Sequence, residues 1–197
     1  MKLRYSLGSP FARKTAMAVH ALGLAGKVEM IDHSADPSNA VRHQNPLHKI
    51  PMLIADNGEA IFDSPVIVEY LDELAGGGKI IPVKGLPRYR TLTRLALADG
   101  IAEATVLIYY EDRWRDPGQK SERWINHQAQ KIERALEVFE NDLPQSFDAA
   151  AMGLFCALHF LDRNPVYFWR ERFPKLASWI TQAAASEPVV KLTEPAA

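Results

Sequence analysis

The sequence places a serine directly before a proline twice, at Ser9-Pro10 and at Ser64-Pro65, each time at the head of a run with helical apolar spacing. Serine is among the best N-caps, and proline is favoured in the first helical turn, where its missing N–H costs nothing. Two helix N-termini are therefore expected, each with free backbone N–H groups and the positive end of a helix dipole. Such ends hold anions. A fold that brings them together makes a polar cradle for a small anionic ligand.

The flanking segments say what kind of fold that is. Lys2–Tyr5 reads as a strand, and Pro10 to Leu22 as a helix with Phe11, Ala12, Thr15, Ala16, Val19 and Leu22 on its apolar positions. Gly23 and Gly26 stop that helix, and Val28–Ile31 reads as a second strand. From His33 to Asn45 the chain is polar and proline-interrupted, with room for one helical turn at most. Met52–Ala55 and Ala60–Phe62 flank Asn57-Gly58, a tight-turn signal, and so form a hairpin. Ser64 is then expected to cap a helix whose face is Val66, Ile67, Tyr70, Leu71 and Leu74, ended by Gly76-Gly77-Gly78.

Beyond Leu86 no strand pattern appears. Tyr89 to Arg113 reads as one long helix, broken at Asp116-Pro117-Gly118. Ser121 to Leu143 is amphipathic, with Ile125, Ala129, Ile132, Leu136, Phe139 and Leu143 at steps of three and four. Asp148 to Leu161 is apolar on all sides, Phe173-Pro174 opens a last helix to Ala185, and the tail from Glu187 is expected to be irregular. The expectation is an α/β domain over 1–78, a linker over 79–88 and an all-helical domain over 89–197.

Charge excludes several classes of function. The 197 residues carry a net charge of −1, spread evenly, so no basic stripe points to nucleic acid or to an anionic membrane. The single cysteine, Cys156, has no partner for a disulfide or for Cys-x-x-Cys chemistry. The six histidines lack metal-ligand spacing. No apolar stretch approaches the ~20 residues of a membrane span, and the N-terminus has no signal-peptide pattern, which makes a cytoplasmic location the expectation.

Four local features together resemble the glutathione S-transferase family, in its bacterial, theta/zeta-like serine type. They are Ser9-Pro10-Phe11-Ala12-Arg13-Lys14 after the first strand, Asn45-Pro46-Leu47-His48-Lys49-Ile50-Pro51, the Asp63-Ser64 pair, and Phe173-Pro174-x-Leu176-x-x-Trp179 near the C-terminus. The resemblance implies a thioredoxin-like N-terminal domain, an all-α C-terminal domain, a homodimer and a role in detoxification. It implies glutathione as cosubstrate, no metal, and a small hydrophobic electrophile as the second substrate. Ser9 would donate a hydrogen bond to the glutathione thiolate, with Tyr5 and Ser6 as rival donors. Phe11, Lys49, Ile50, Asp63 and Ser64 would line the glutathione site, with Ile50-Pro51 as a cis-proline turn. Phe11 would also face the electrophile, together with Tyr109, Tyr110 and Trp114. Two positions depart from the family pattern: His48 stands where a glycine is usual, and Asp148 and Ala151 replace a Ser/Thr-x-x-Asp capping box. A relative of the same fold that binds a protein or ligand without catalysis, and a glutathione-dependent isomerase, are the alternative readings.

Overall fold

The computed structural model describes residues 1–33, 43–116 and 118–195. The polar stretch after His33 lies mostly outside them, as does Pro117 of the expected helix break. The first part of the chain runs β1 (Lys2–Tyr5), α1 (Pro10–Ala21), β2 (Glu29–Asp32), β3 (Met52–Ile54), β4 (Ala60–Ile61) and α2 (Ser64–Leu74). Its sheet has the order β2-β1-β3-β4, with β1 parallel to β2 across α1 and antiparallel to β3, and β4 antiparallel to β3. This mixed four-stranded sheet is the thioredoxin-like arrangement expected. The β3–β4 turn closes through Gly58, whose φ of 86° a side chain rarely tolerates.

The second part is helical: α3 (Gly85–Trp114), α4 (Glu122–Asn141), α5 (Ala149–Arg163), α6 (Pro174–Ser186) and α7 (Pro188–Leu192). Helix α3 begins at Gly85, ahead of the expected Tyr89. Pro87 does not prevent this, because first-turn N–H groups have no intrahelical acceptor to lose. The tail expected to be irregular contains α7, whose Val190 is buried. Helix α5 is buried on every side from Ala149 to Leu158. Gly153 lets α3 come close to it, since a Cβ there would sit 2.7 Å from Leu95 Cδ1. Asp148 caps α5 alone, accepting from Ala151 N at 3.0 Å. The two parts join through a second carboxylate, Asp72, which accepts from the backbone N–H of Gly78, Lys79 and Ile80. Among the described residues no helix is long and apolar enough to cross a membrane.

Candidate functional site

Strand register alone assembles the predicted residues. Lys2, Leu3 and Arg4 pair with Ile54, Leu53 and Met52, so one further step sets Tyr5 opposite Pro51. Leu53 and Ile54 pair with Ile61 and Ala60, so the chain leaving β4 toward Asp63 heads for that same end. The C-terminal end of β1, the approach to β3 and the exit from β4 therefore meet at one end of the sheet. The loop from Ser6 to Ser9, the Ile50-Pro51 pair and the Asp63-Ser64 pair all lie there, and α1 and α2 both start there.

The two serines do different jobs in that arrangement. Ser9 is the N-cap of α1: its Oγ accepts from Ala12 N at 3.4 Å and its carbonyl from Arg13 N at 2.9 Å. At α2 the N-cap is Asp63, whose carbonyl accepts from Ile67 N at 3.0 Å. Ser64 is the first helical residue and is buried, so the expectation that it caps α2 is corrected by one position. The Asp63 side chain makes no cap hydrogen bond and is exposed at the sheet end, which leaves its carboxylate available to a ligand. A hydroxyl has one donor and two acceptor positions. The Ser9 cap uses an acceptor, and its O–H has no acceptor among the described residues.

The approach to β3 is shaped by the buried side chain of Asn45. It accepts from Leu47 N at 2.9 Å and donates to Lys49 O at 2.8 Å, while His48 N reaches Asn45 O at 2.9 Å. This holds His48 at a φ of 53°, the left-handed backbone in which a glycine is at ease. The departure at His48 therefore leaves the turn in place, at a strain of roughly 1–2 kcal/mol. The Ile50–Pro51 bond is cis, as is Phe62–Asp63. Lys49 is exposed and Ile50 half-buried. Tyr5, one of the rival donors, is half-buried beside the core, and burial and the charge of Asp32 push its pKa up. Phe11 is half-buried in the first turn of α1.

Sequence reasoning missed the charges behind this edge. Lys14, 1% exposed, reaches both carboxylate oxygens of Asp99 on α3 at 2.5 and 2.7 Å. Burial pushes the Asp99 pKa up and Lys14 opposes the shift, while the nearby negative charge of Asp63 adds to it. A lysine and an arginine inside an otherwise apolar helix were the available signal, but nothing local names their partners. Tyr109, Tyr110 and Trp114 lie at the far end of α3, with the Tyr109 and Tyr110 rings 6.2 Å apart and Trp114 exposed. Cys156 is buried, 3.7 Å from Met17 Sδ, and burial pushes its thiol up to about 12. A thiol held so far from ionisation is no nucleophile. Among the described residues no group of His, Cys, Asp or Glu is placed to hold a metal ion.

Two descriptions of known families match the chain: the glutathione S-transferase N-terminal domain over residues 8–74, and the glutathione S-transferase C-terminal domain over 122–182. The uncharacterized GST-like protein YibF of Escherichia coli (strain K12) is 32% identical, covering 99% of this chain and 98% of its own length. The structure of a glutathione transferase family member from Pseudomonas fluorescens Pf-5 with bound glutathione superimposes with a TM-score of 0.92 at 38% identity, over 100% of this chain and 99% of that one. A glutathione S-transferase from Methylobacillus flagellatus KT, with glutathione bound, gives 0.89 at 33% identity over 99% of each chain.

Proposed function

The chain belongs to the glutathione S-transferase family, and from that premise we propose that it binds glutathione at the sheet end and activates its thiol through Ser9 for attack on a hydrophobic electrophile. The observation that carries this reading is the Ser9 hydroxyl, which sits at a helix N-terminus with its acceptor side engaged and no acceptor for its O–H among the described residues. A thiol with an unperturbed pKa of ~8.5 is mostly protonated at neutral pH. Lowering that value by two units needs ~2.7 kcal/mol. A charge-assisted hydrogen bond of ~1.5–3 kcal/mol with a dipole contribution of ~0.3–1 kcal/mol supplies it. Sulfur then attacks an electrophilic carbon, and the leaving group departs with its electron pair.

The tripeptide is held by complementary charges and backbone. Asp63 meets the γ-glutamyl ammonium, and Ser64 with the N–H groups opening α2 meets the γ-glutamyl carboxylate. The backbone of Ile50 pairs with the cysteinyl unit, Lys49 meets the glycyl carboxylate, and Phe11 closes the side toward the electrophile. Tyr109, Tyr110 and Trp114 form the apolar wall against which the second substrate packs. Val66 on α2, Val83 just before α3, and Leu86 and Tyr89 in the first turns of α3 are exposed, an apolar surface that suits a second copy of the chain.

The test is ultraviolet titration of bound glutathione in the wild type and in Ser9→Ala. The variant should raise the bound thiol pKa by one to two units and leave affinity for the tripeptide nearly unchanged, because the hydroxyl favours the thiolate over the thiol. Its rate near neutral pH should fall roughly 10- to 100-fold and recover as pH rises. Overlaid titration curves would reduce Ser9 to a helix cap and move the donor role to Tyr5 or Ser6.

A further inference from the structure

At the C-terminal end of α3 the charges are distributed unevenly. Glu111 accepts from Arg115 and from Ser121 N, and Asp112 pairs with Lys120. Arg113, between them, has no carboxylate partner among the described residues. It lies instead on aromatic rings, its guanidinium carbon 6.0 Å from the Tyr109 ring centre and 5.4 Å from that of Trp114, with Nη1 3.4 Å from Tyr109 Oη. An aromatic bed orients a guanidinium without neutralising it.

Helical period puts this cation on the same face of α3 as Asp99, about 21 Å further along the axis at 1.5 Å per residue. From Asp99, which is tied to α1 through Lys14, steps of four, three, four and three residues reach Glu103, Val106, Tyr110 and Arg113 along one stripe of α3. Helical side chains also lean toward the N-terminus, and Arg113 does so, reaching one turn back to Tyr109. Beyond Glu103 the stripe offers Val106 and Tyr110 as a short apolar wall, ending in a planar positive charge with no carboxylate partner among the described residues.

We infer that Arg113 selects the second substrate, favouring electrophiles that carry a carboxylate beyond an apolar body; this rests on the transferase reading above. An aryl body packs along Val106 and Tyr110, and the carboxylate accepts from the Arg113 fork. With a 4-(halomethyl)benzoate, the glutathione thiolate attacks the benzylic carbon. The C–S bond forms as the C–halogen bond breaks, and halide leaves with the bonding pair. Arg113 is a specificity residue in this scheme and takes no part in the bond changes.

The experiment measures binding, which is independent of turnover. Glutathione, S-(4-carboxybenzyl)glutathione and S-(4-carbamoylbenzyl)glutathione are titrated calorimetrically into the wild type, and the two conjugates also into Arg113→Gln and Arg113→Lys. The carboxylate conjugate should bind the wild type at least about fivefold more tightly than its isosteric amide. Arg113→Gln should close that gap, and Arg113→Lys should keep part of it. A wild-type gap below fivefold, or one that survives Arg113→Gln, overturns the inference while glutathione binding leaves the transferase reading standing. Absence of glutathione binding to the wild type removes both.

Discussion

Replacing Lys14 by methionine should be among the most damaging single substitutions in the chain. Lys14 is 1% exposed and Asp99 15% exposed in their side chains, and the ammonium contacts both carboxylate oxygens. Removing one member of a buried pair costs about 3–5 kcal/mol, because the other charge stays buried without its partner. That is a large share of the roughly 5–15 kcal/mol that holds a domain folded. Burial already raises the Asp99 pKa against the pull of Lys14, so the variant should raise it further. A carboxyl with a folded pKa above its unfolded value binds more protons when native, so the variant gains relative stability as pH falls toward the unfolded value of ~3.9. The damage should thus be smaller near about pH 5 than near about pH 8. Pairing Lys14→Met with Asp99→Leu removes both charges and should return stability to within about 1 kcal/mol of wild type. Urea unfolding at one fixed protein concentration gives the double-mutant cycle. If Lys14→Met costs less than about 1 kcal/mol, or the two single losses simply add, the pair is not the tie between α1 and α3 described above.

Two other polar groups, the half-buried His159 and the buried Gln128, give further expectations. His159 stacks on Phe155, and burial, reinforced by the charges of Arg13 and Arg163, lowers its pKa from 6.5 to about 4. The unfolded chain therefore binds the extra proton first, and stability should fall as pH drops from about 7.5 to about 5, by up to about 2 kcal/mol and nearer 1 after discounting for partial exposure. His159→Leu should flatten that dependence in urea titrations, and an unchanged slope would refute it. Gln128 is fully buried, and neither of its side-chain amide atoms has a hydrogen-bond partner among the described residues, so Gln128→Met should raise stability by about 1 kcal/mol. A loss of that size in thermal melts would mean the amide is hydrogen-bonded after all.

What the sequence made legible was what local chemistry decides. Ser9-Pro10 starts a helix wherever it stands, and Asn57-Gly58 turns a hairpin wherever two apolar strands flank it. The one-residue error at α2 has the same origin, since Asp63 and Ser64 are both good caps and only the backbone of Asp63 settles which one serves. Helix α7 was missed because five residues have no periodicity to read, and their order comes from Val190 burying itself against the rest of the fold. The Lys14–Asp99 pair joins positions 85 residues apart, beyond any local pattern. The hairpin brings Ile50 and Asp63 to one end of the sheet, but neither the pairing of β1 with β3 that adds Ser9 nor the charges fixing α1 beneath them could be read from it.

Those charges change how the site has to be understood. Helix α1 carries Ser9 at its head and has nine of its twelve residues buried, because one face meets the sheet layer and the other meets the helical layer. Lys14 lies about 7.5 Å down the axis from Ser9, at 1.5 Å per residue, and grips α3. Arg13 sits one residue nearer, its guanidinium 5.2 Å from the Phe155 ring on α5 and donating from Nη2 to Val190 O on α7 at 3.4 Å. Two further nitrogens of Arg13 are buried without a hydrogen bond among the described residues, and burial lowers its pKa. A cation this costly to bury holds its place only while α5 and α7 are packed around it. The direction of α1, and with it the aim of the Ser9 hydroxyl, is therefore set as much by the helical half as by the strands. Loosening α7 should disturb the site without touching a residue at the sheet end.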